Sequence, residues 1–449
     1  VDRSDVFLPG DGGCVAFRIP ALVSTGDVLL AFAECRKWTC NDFGRHDLVM
    51  RRSTSNGKTW QPMVTLLQPN EHWSDCNASE LAGVPNESEG GTCKGGCAVW
   101  DPTALFDERR GKLWLFFGRS TSSCPGSKLG GRRVDLWSIT SNDKGRHWSA
   151  PKNMTADCSL PYGGGVTTAG GHGIQLREGQ LLLPLYGCGA DGGQGLCTSA
   201  SGGINWRAAA GTTPPAKGEN ARVSTAAEGE VVELFERNAD GTPRLLFDTR
   251  PVGLARCTSN ASDFDVNHQC RLMYTSTDLG TSWGNGTFHP ELPDPSCKGG
   301  IARWDGDSTS KGALFAVGAA SSKFAGGVRT NTTLSWSTDG LSFPGRLQLD
   351  DSGGYSTVQV TGDGHLAALY EAPKLDAYNC WAPCGPAGNA SNGGTNCCTM
   401  AHFYQPPECP TDAHGTTLPN CTWLLDCACN PVGCGLKLAR VDPRQLLSS

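Results

Sequence analysis

The residues of this 449-residue chain best suited to chemistry are arginines and carboxylates set at the ends of strand-like runs. In the stretch from Phe17 to Trp60, Arg18 sits in Phe17-Arg18-Ile19-Pro20, ahead of the apolar runs Ala21-Leu22-Val23 and Val28-Leu29-Leu30-Ala31-Phe32. Arg36 follows, and six residues on, Asp42 stands in a Cys/Asn/Gly-containing turn that a hairpin would put at a strand end. A guanidinium offers planar, bidentate hydrogen bonds to a carboxylate. An aspartate at a strand end can give and take a proton. Asp47 is the structural competitor of Asp42, because Asp47-Leu-Val-Met alternates like a strand. With a net charge of −6 and no basic stripe to neutralise phosphates, nucleic acid is excluded as a partner and the arginines must act singly.

Other chemistries fit less well. Cys93 with Cys97, or Cys427 with Cys429, lacks the second pair that a zinc ribbon or finger requires. Asp305-Gly-Asp307-Ser-Thr309 starts like a calcium loop, but Ser310 and Ala316 stand where the glycine and the bidentate glutamate belong, so a turn is expected. The glycine-rich run from Gly163 to Leu176 precedes the strand-like Gln180-Leu-Leu-Leu-Pro-Leu-Tyr186, whereas a phosphate cradle needs a helix there. Neither a metal nor a cofactor is expected.

The elements that must position these residues are strands. The chain has 59 glycines and 27 prolines, and short apolar runs bounded by Gly, Asp, Asn and Ser occur along its whole length without a long 3.6-residue period. The longest apolar runs, such as Ala313–Ala320, fall far below the ~20 residues of a membrane helix. A turn motif beginning at Ser53 (Ser-Thr-Ser-Asn-Gly57-Lys-Thr-Trp60) returns at Ser141, Ser199, Ser276 and Ser337. The starts are spaced by 88, 58, 77 and 61 residues, the period of a four-stranded blade plus insertions. Its Asp143 and Asp278 are read as turn residues that bond backbone amides, its glycines as positive-φ positions, and its terminal aromatics as packing between sheets. A polar loop spans about Gln68 to Lys94, and the strand pair Ala98–Phe106 and Lys112–Phe117 follows it. The 22 cysteines and eight N-x-Ser/Thr sequons (Asn77, Asn86, Asn153, Asn260, Asn285, Asn331, Asn389, Asn420) point to an oxidising, secreted or lumenal compartment. The start Val1-Asp2-Arg3 carries no signal peptide and is read as that of a mature or trimmed form.

Phe-Arg-Ile-Pro, then an arginine and an Asp-containing turn, then Arg-Arg-Ser running into the Ser-x-Asp/Asn-x-Gly-x-Thr-Trp motif, resembles the exo-sialidases of bacteria, fungi and animals, closest to the lysosomal type. The resemblance implies an all-β, six-bladed propeller forming one catalytic domain over residues 1–449, with the turn motifs between third and fourth strands. Residues 373–434, rich in cysteine, would be an insertion in the last blade, since Gly435–Val441 resembles the closing strand. It also implies a retaining exo-α-sialidase acting on sialylated glycans, with no membrane span, as a monomer.

By the same resemblance, Arg18, Arg250 and Arg329 bind the sugar carboxylate, and Glu371 in Leu369-Tyr370-Glu371 holds the first of them. An anionic nucleophile would be repelled by that carboxylate, so a tyrosine activated by a glutamate suits the reaction. Tyr355 in Gly353-Gly354-Tyr355-Ser356 matches the family's tyrosine, with Tyr370 as its rival. Glu228, ahead of Val231-Val232-Glu233-Leu234, matches the activating base, with Glu219 and Glu230 nearby. Asp42 is the implied acid/base, Arg36 a sugar contact, and Asp101 in Asp101-Pro102-Thr103 a pocket residue. Arg250 departs from the pattern in having Asp248 two residues before it where the family usually has asparagine, and Arg244 and Arg256 compete with it. Preference for the deaminated sugar Kdn, transfer to a sugar acceptor, and a sialic-acid-binding propeller without turnover are the alternative readings.

Overall fold

The computed structural model describes residues 1–14, 16–37, 46–74, 76, 98–120, 134–160, 166–187, 193–217, 223–253, 270–295, 297–320, 329–373 and 434–448. They form strands almost throughout, with short helical pieces such as Pro69–His72 and Pro443–Leu447. Among them no helix is long and apolar enough to cross a membrane. The Cys-rich stretch expected as an insertion lies outside the described residues apart from its ends, where Pro373 and Cys434 are strand partners.

The strands run in antiparallel sets. Ala16–Ser24, Leu29–Arg36, His46–Ser53 and Val64–Leu67 form the first, and Ala98–Asp107, Lys112–Ser120, Val134–Ser141 and Lys152–Asn153 the next; a single parallel bridge, His46 to Ala98, joins them. Later sets are built from Val166–Thr167, Leu181–Gly187, Gln194–Ser199 and Arg207–Thr212, from Val223–Arg237 through Thr287–Pro293, and from Gly300–Gly306 through Gly345–Ser352. The last set is composite: Ser356–Val360, Leu366–Pro373 and Cys434–Val441 take the N-terminal strand Asp2–Phe7 as their fourth member. The expected strands at 98–106, 112–117, 180–186 and 435–441 are all present, shifted by a few residues at their ends.

Composition decides where each strand lies. Leu29–Arg36 is apolar on both faces except for its charged end and is buried at every position, as a strand covered on two sides must be. Arg207–Thr212 and Gly345–Ser352, fourth strands of their sets, are mostly half-buried or exposed and belong at the rim. Neighbouring sets pack face to face through separate apolar clusters: Phe32 and Met50 against Leu115 and Phe117, Phe116 against Leu183 and Trp206, Leu182 against Phe247 and Tyr274, Leu246 against Ile301 and Leu314, and Phe315 against Val358 and Tyr370. Phe7 and Leu438 of the last set then meet Phe17 and Leu29 of the first. The arrangement is therefore propeller-like, each sheet buried by its two neighbours and the first sheet closing on the last.

The repeated turn lies between third and fourth strands, as expected. In the copies at Ser53, Ser141, Ser199 and Ser276 the serine Oγ accepts from the amide of the glycine four residues on, each at 2.9 Å. Asp143 and Asp278 accept from the amides of His147 and Ser282, and in the two copies lacking aspartate Ser55 and Ser201 take that role toward Thr59 and Asn205. Asp307 likewise closes its own turn, accepting from Thr309 and Ser310, and lies 3.9 Å from Arg444 Nη1.

Two disulfides, Cys14–Cys35 and Cys158–Cys197, tie strands to preceding loops, while Cys297 is a buried free thiol. Inside the ring Lys298 Nζ lies 2.5 Å from Glu230 Oε1 and donates to the Ser356 carbonyl, while His172 Nδ1 lies 3.2 Å from Glu230 Oε2. Burial pushes the His172 imidazole below its ordinary pKa, with Glu230 opposing and Lys298 assisting.

Candidate active site

The first strand of the chain's first set carries the feature that aims Arg18. Its pairing with Leu29–Arg36 slips between Arg18 and Ala21, and Ile19 is forced to φ 54°. A β-branched residue in the left-handed region, followed by proline, is strained by about 1–3 kcal/mol. The strain is held by Glu371, whose Oε1 accepts from both the Ile19 amide and Arg18 Nε at 3.1 Å. Its other oxygen accepts from the Tyr355 amide at 3.1 Å, so one buried carboxylate fixes an arginine and the backbone of a tyrosine 337 residues away in sequence. Burial alone would raise the Glu371 pKa, but Arg18, Arg329 and the two amides outweigh it and hold the group below the carboxylate range.

Around Tyr355 three guanidiniums converge. The Cζ atoms of Arg18, Arg329 and Arg250 lie 5.2, 5.1 and 5.9 Å from its ring centroid. Arg329 precedes the strand Thr330–Ser337, and Arg250 lies on Pro243–Gly253. The Tyr355 hydroxyl donates to Glu228, whose oxygens are 2.7 and 2.8 Å away, and it accepts from Arg250 Nη1 at 2.7 Å. Arg250 also reaches Glu228 Oε2 at 2.6 Å. Burial drives the phenol pKa well above its ordinary value, and Glu228 adds to this against the three arginines, so the hydroxyl keeps its proton and points it at the glutamate.

One strand over, Arg36 Nε and Nη2 donate to Glu34 Oε2 at 3.1 and 2.7 Å, and the Asp101 amide donates to Glu34 Oε1 at 2.9 Å. Asp101 also has positive φ, 50°, at a slip in the pairing of Ala98–Asp107 with Lys112–Ser120. Its Oδ2 accepts from the Tyr186 hydroxyl at 3.3 Å and its carbonyl from the Thr168 hydroxyl.

Of the residues singled out from sequence, Arg18, Arg250, Arg329, Glu228, Tyr355 and Glu371 thus form one constellation, with Arg36 and Asp101 joined beside it. Asp42 lies outside the described residues; the strands flanking it end at Arg36 and begin at His46, which are partners. Glu219 and Arg256 lie outside them too. The other competitors have different occupations. Glu230 faces Lys298 and His172, Tyr370 donates to Asp350, Arg244 pairs with Glu236, and Asp47 is buried with Lys37 Nζ at 3.8 Å. Asp248 is buried beneath Arg250, 3.6 Å from Arg271 Nε. Sequence reasoning missed Glu34, Tyr186 and Thr168. Only Glu34 left a signal, a lone acid within the otherwise apolar Leu29-Leu-Ala-Phe-Ala-Glu34-Cys35.

The chain as a whole is similar to known proteins. The family described as "BNR repeat-like domain" matches residues 95–368. The exo-alpha-sialidase of Aspergillus fumigatus is 28% identical over 80% of this chain and 79% of its own length, and the sialidase of Bacteroides fragilis 26% identical over 81% and 61%. Among solved structures, the Hadza microbial sialidase Hz136 superposes with a TM-score of 0.62 at 23% identity, covering 82% of this chain. This chain thus spans less than two thirds of the Bacteroides relative and about two thirds, 66%, of that solved chain.

Proposed function

Because this chain belongs to the BNR repeat-like domain family and is similar to sialidases, we propose that it is a retaining exo-α-sialidase that removes terminal sialic acids from glycoconjugates through a tyrosyl-linked intermediate. The observation that carries the proposal is the Tyr355 hydroxyl held between Glu228 and Arg250 inside a ring of three guanidiniums. The sugar carboxylate is bound by Arg18, Arg250 and Arg329. Glu228 accepts the phenol proton as the oxygen bonds to the anomeric carbon, while Asp42 protonates the departing aglycone oxygen. Asp42 then takes a proton from water, which attacks the same carbon; the phenolate leaves and regains its proton from Glu228. Two inversions amount to retention, and nothing beyond water is consumed. A neutral nucleophile is the physical requirement here, since the high phenol pKa keeps negative charge away from the incoming carboxylate until Glu228 takes the proton.

We read the antiparallel sets of strands as six blades of one domain over residues 1–449, with the Cys-rich residues 373–434 inserted in the last. The disulfides and sequons fit a secreted glycoprotein. The test is release of methylumbelliferone from the Neu5Ac and Kdn glycosides, together with trapping by a 3-fluorosialyl fluoride. The expected result is turnover of at least one glycoside and a fluorosugar adduct on the Tyr355 peptide that Tyr355→Phe abolishes. Turnover with the adduct on another residue would remove Tyr355 as nucleophile, and absence of turnover would leave a binding protein.

A further inference from the structure

We propose that Glu34 is a positioning residue that binds Arg36 and Asp101 into a single sugar-reading unit, repeating on the neighbouring blade what Glu371 does for Arg18 and Tyr355; this rests on the sialic-acid reading of the pocket. The argument is the internal repetition of one device. In each case a fully buried glutamate on a second strand reaches a strained residue on the first strand of the next set, at a slip in the pairing and before a proline. Glu371 Oε1 receives the Ile19 amide and Arg18 Nε; Glu34 Oε1 receives the Asp101 amide while its Oε2 receives Arg36 Nε and Nη2. Ile19 and Asp101 share φ values of 54° and 50°, so both amides turn away from their own ladder and need an acceptor.

Glu34 and Arg36 are two residues apart on one strand and therefore on one face. Gripping the Arg36 guanidinium fixes its plane and direction, and gripping the Asp101 amide fixes where that carboxylate stands. A third glutamate, Glu230, shows the same grip without an outcome in the pocket. Its Oε2 takes the Ile301 amide at 2.9 Å, but its cation is Lys298, whose ammonium donates to the Ser356 carbonyl.

The test is steady-state kinetics of Glu34→Gln and Glu34→Asp beside Arg36→Gln and the Glu34→Gln/Arg36→Gln double variant, with thermal melting of each. Loss of an oriented charge-assisted contact should raise KM for the methylumbelliferyl sialoside by about tenfold with little change in kcat. The double variant should be no worse than Arg36→Gln alone, because glutamine keeps a carbonyl oxygen for the Asp101 amide and loses only the charged grip on Arg36. An unchanged KM in folded Glu34→Gln, a fall in kcat alone, or additive losses in the double variant would overturn the assignment, as would failure of both Glu34 variants to fold, which would make the residue purely structural. An inactive wild type that is also not stabilised by a dehydrated sialic acid analogue would defeat the sialidase reading and this inference with it. An active wild type matched by Glu34→Gln would defeat the inference alone.

Discussion

At the scale of single residues, the decisive property is a phenol that stays protonated beside its base. Desolvation dominates the Tyr355 pKa, and the adjacent Glu228 reinforces it, so three nearby guanidiniums do not bring ionisation into the working range. A spectrophotometric titration at 295 nm should therefore give the same tyrosinate signal for wild type and Tyr355→Phe up to about pH 10, where exposed tyrosines ionise. An excess in wild type below that pH would mean that the arginines win. The residue assignments from sequence differ in what supported them. Arg18 and Arg329 were legible because each sits at a recognisable strand boundary. Glu228 and Glu230 are two positions apart in one strand, and only their hydrogen bonds, to Tyr355 in one case and Lys298 in the other, tell them apart. Tyr186 and Thr168 carried no signal, because their contacts to Asp101 cross 85 and 67 positions of sequence.

At the scale of elements, the repeated turn is a structural rivet. Gly145 has φ 78°, and a Cβ there would come 2.4 Å from Leu30 Cδ2 of the preceding set, so the turn both closes its own hairpin and seats against a neighbour. Gly145→Ala should destabilise the protein by about 1–3 kcal/mol, read as a lower urea midpoint, while kcat/KM per folded molecule stays unchanged because Tyr355 and its partners belong to other elements. A loss of activity without a loss of stability would contradict the separation of turn from site. The substitution of Asp143 by serine at the equivalent positions 55 and 201 explains how degenerate copies survive: a hydroxyl accepts the same amide bond. Sequence gave these turns away because the requirement for a positive φ and a short acceptor is local, so few residue types satisfy it.

At the scale of the whole molecule, closure and the buried axis set the conditions for stability. The N-terminal strand Asp2–Phe7 completes a sheet whose other strands come from the end of the chain, so ring closure joins residues more than 400 positions apart, with Asp2 opposite Arg440. On the inside, His172 is held neutral against Glu230, Lys298 and Thr357, with its pKa below the ordinary 6.5. Unfolded chains then bind a proton that the folded one refuses, so this residue's contribution is complete above pH 6.5 and is lost as pH falls below it. The loss proceeds by up to about 1.4 kcal/mol per pH unit. Buried Asp248 and Asp294, whose pKa values are raised by desolvation, act in the opposite sense at lower pH, and the comparison must be differential. Urea unfolding at pH 7.5, 6.5 and 5.5 should show a steeper acid loss for wild type than for His172→Gln; parallel curves would show that the imidazole takes up its proton in the folded state.

What the amino-acid sequence determined by itself was whatever depends on near neighbours: strand runs from apolar alternation and turns from serine and glycine at fixed offsets. The tertiary structure alone decided which carboxylate meets which cation. Arg18 and Arg250 lie on separate sheets and Arg329 and Tyr355 just ahead of strands of two others, and the strain that aims Arg18 and places Asp101 is held by glutamates from neighbouring strands. Such bonds depend on how the sheets face one another, a property that no local spacing encodes.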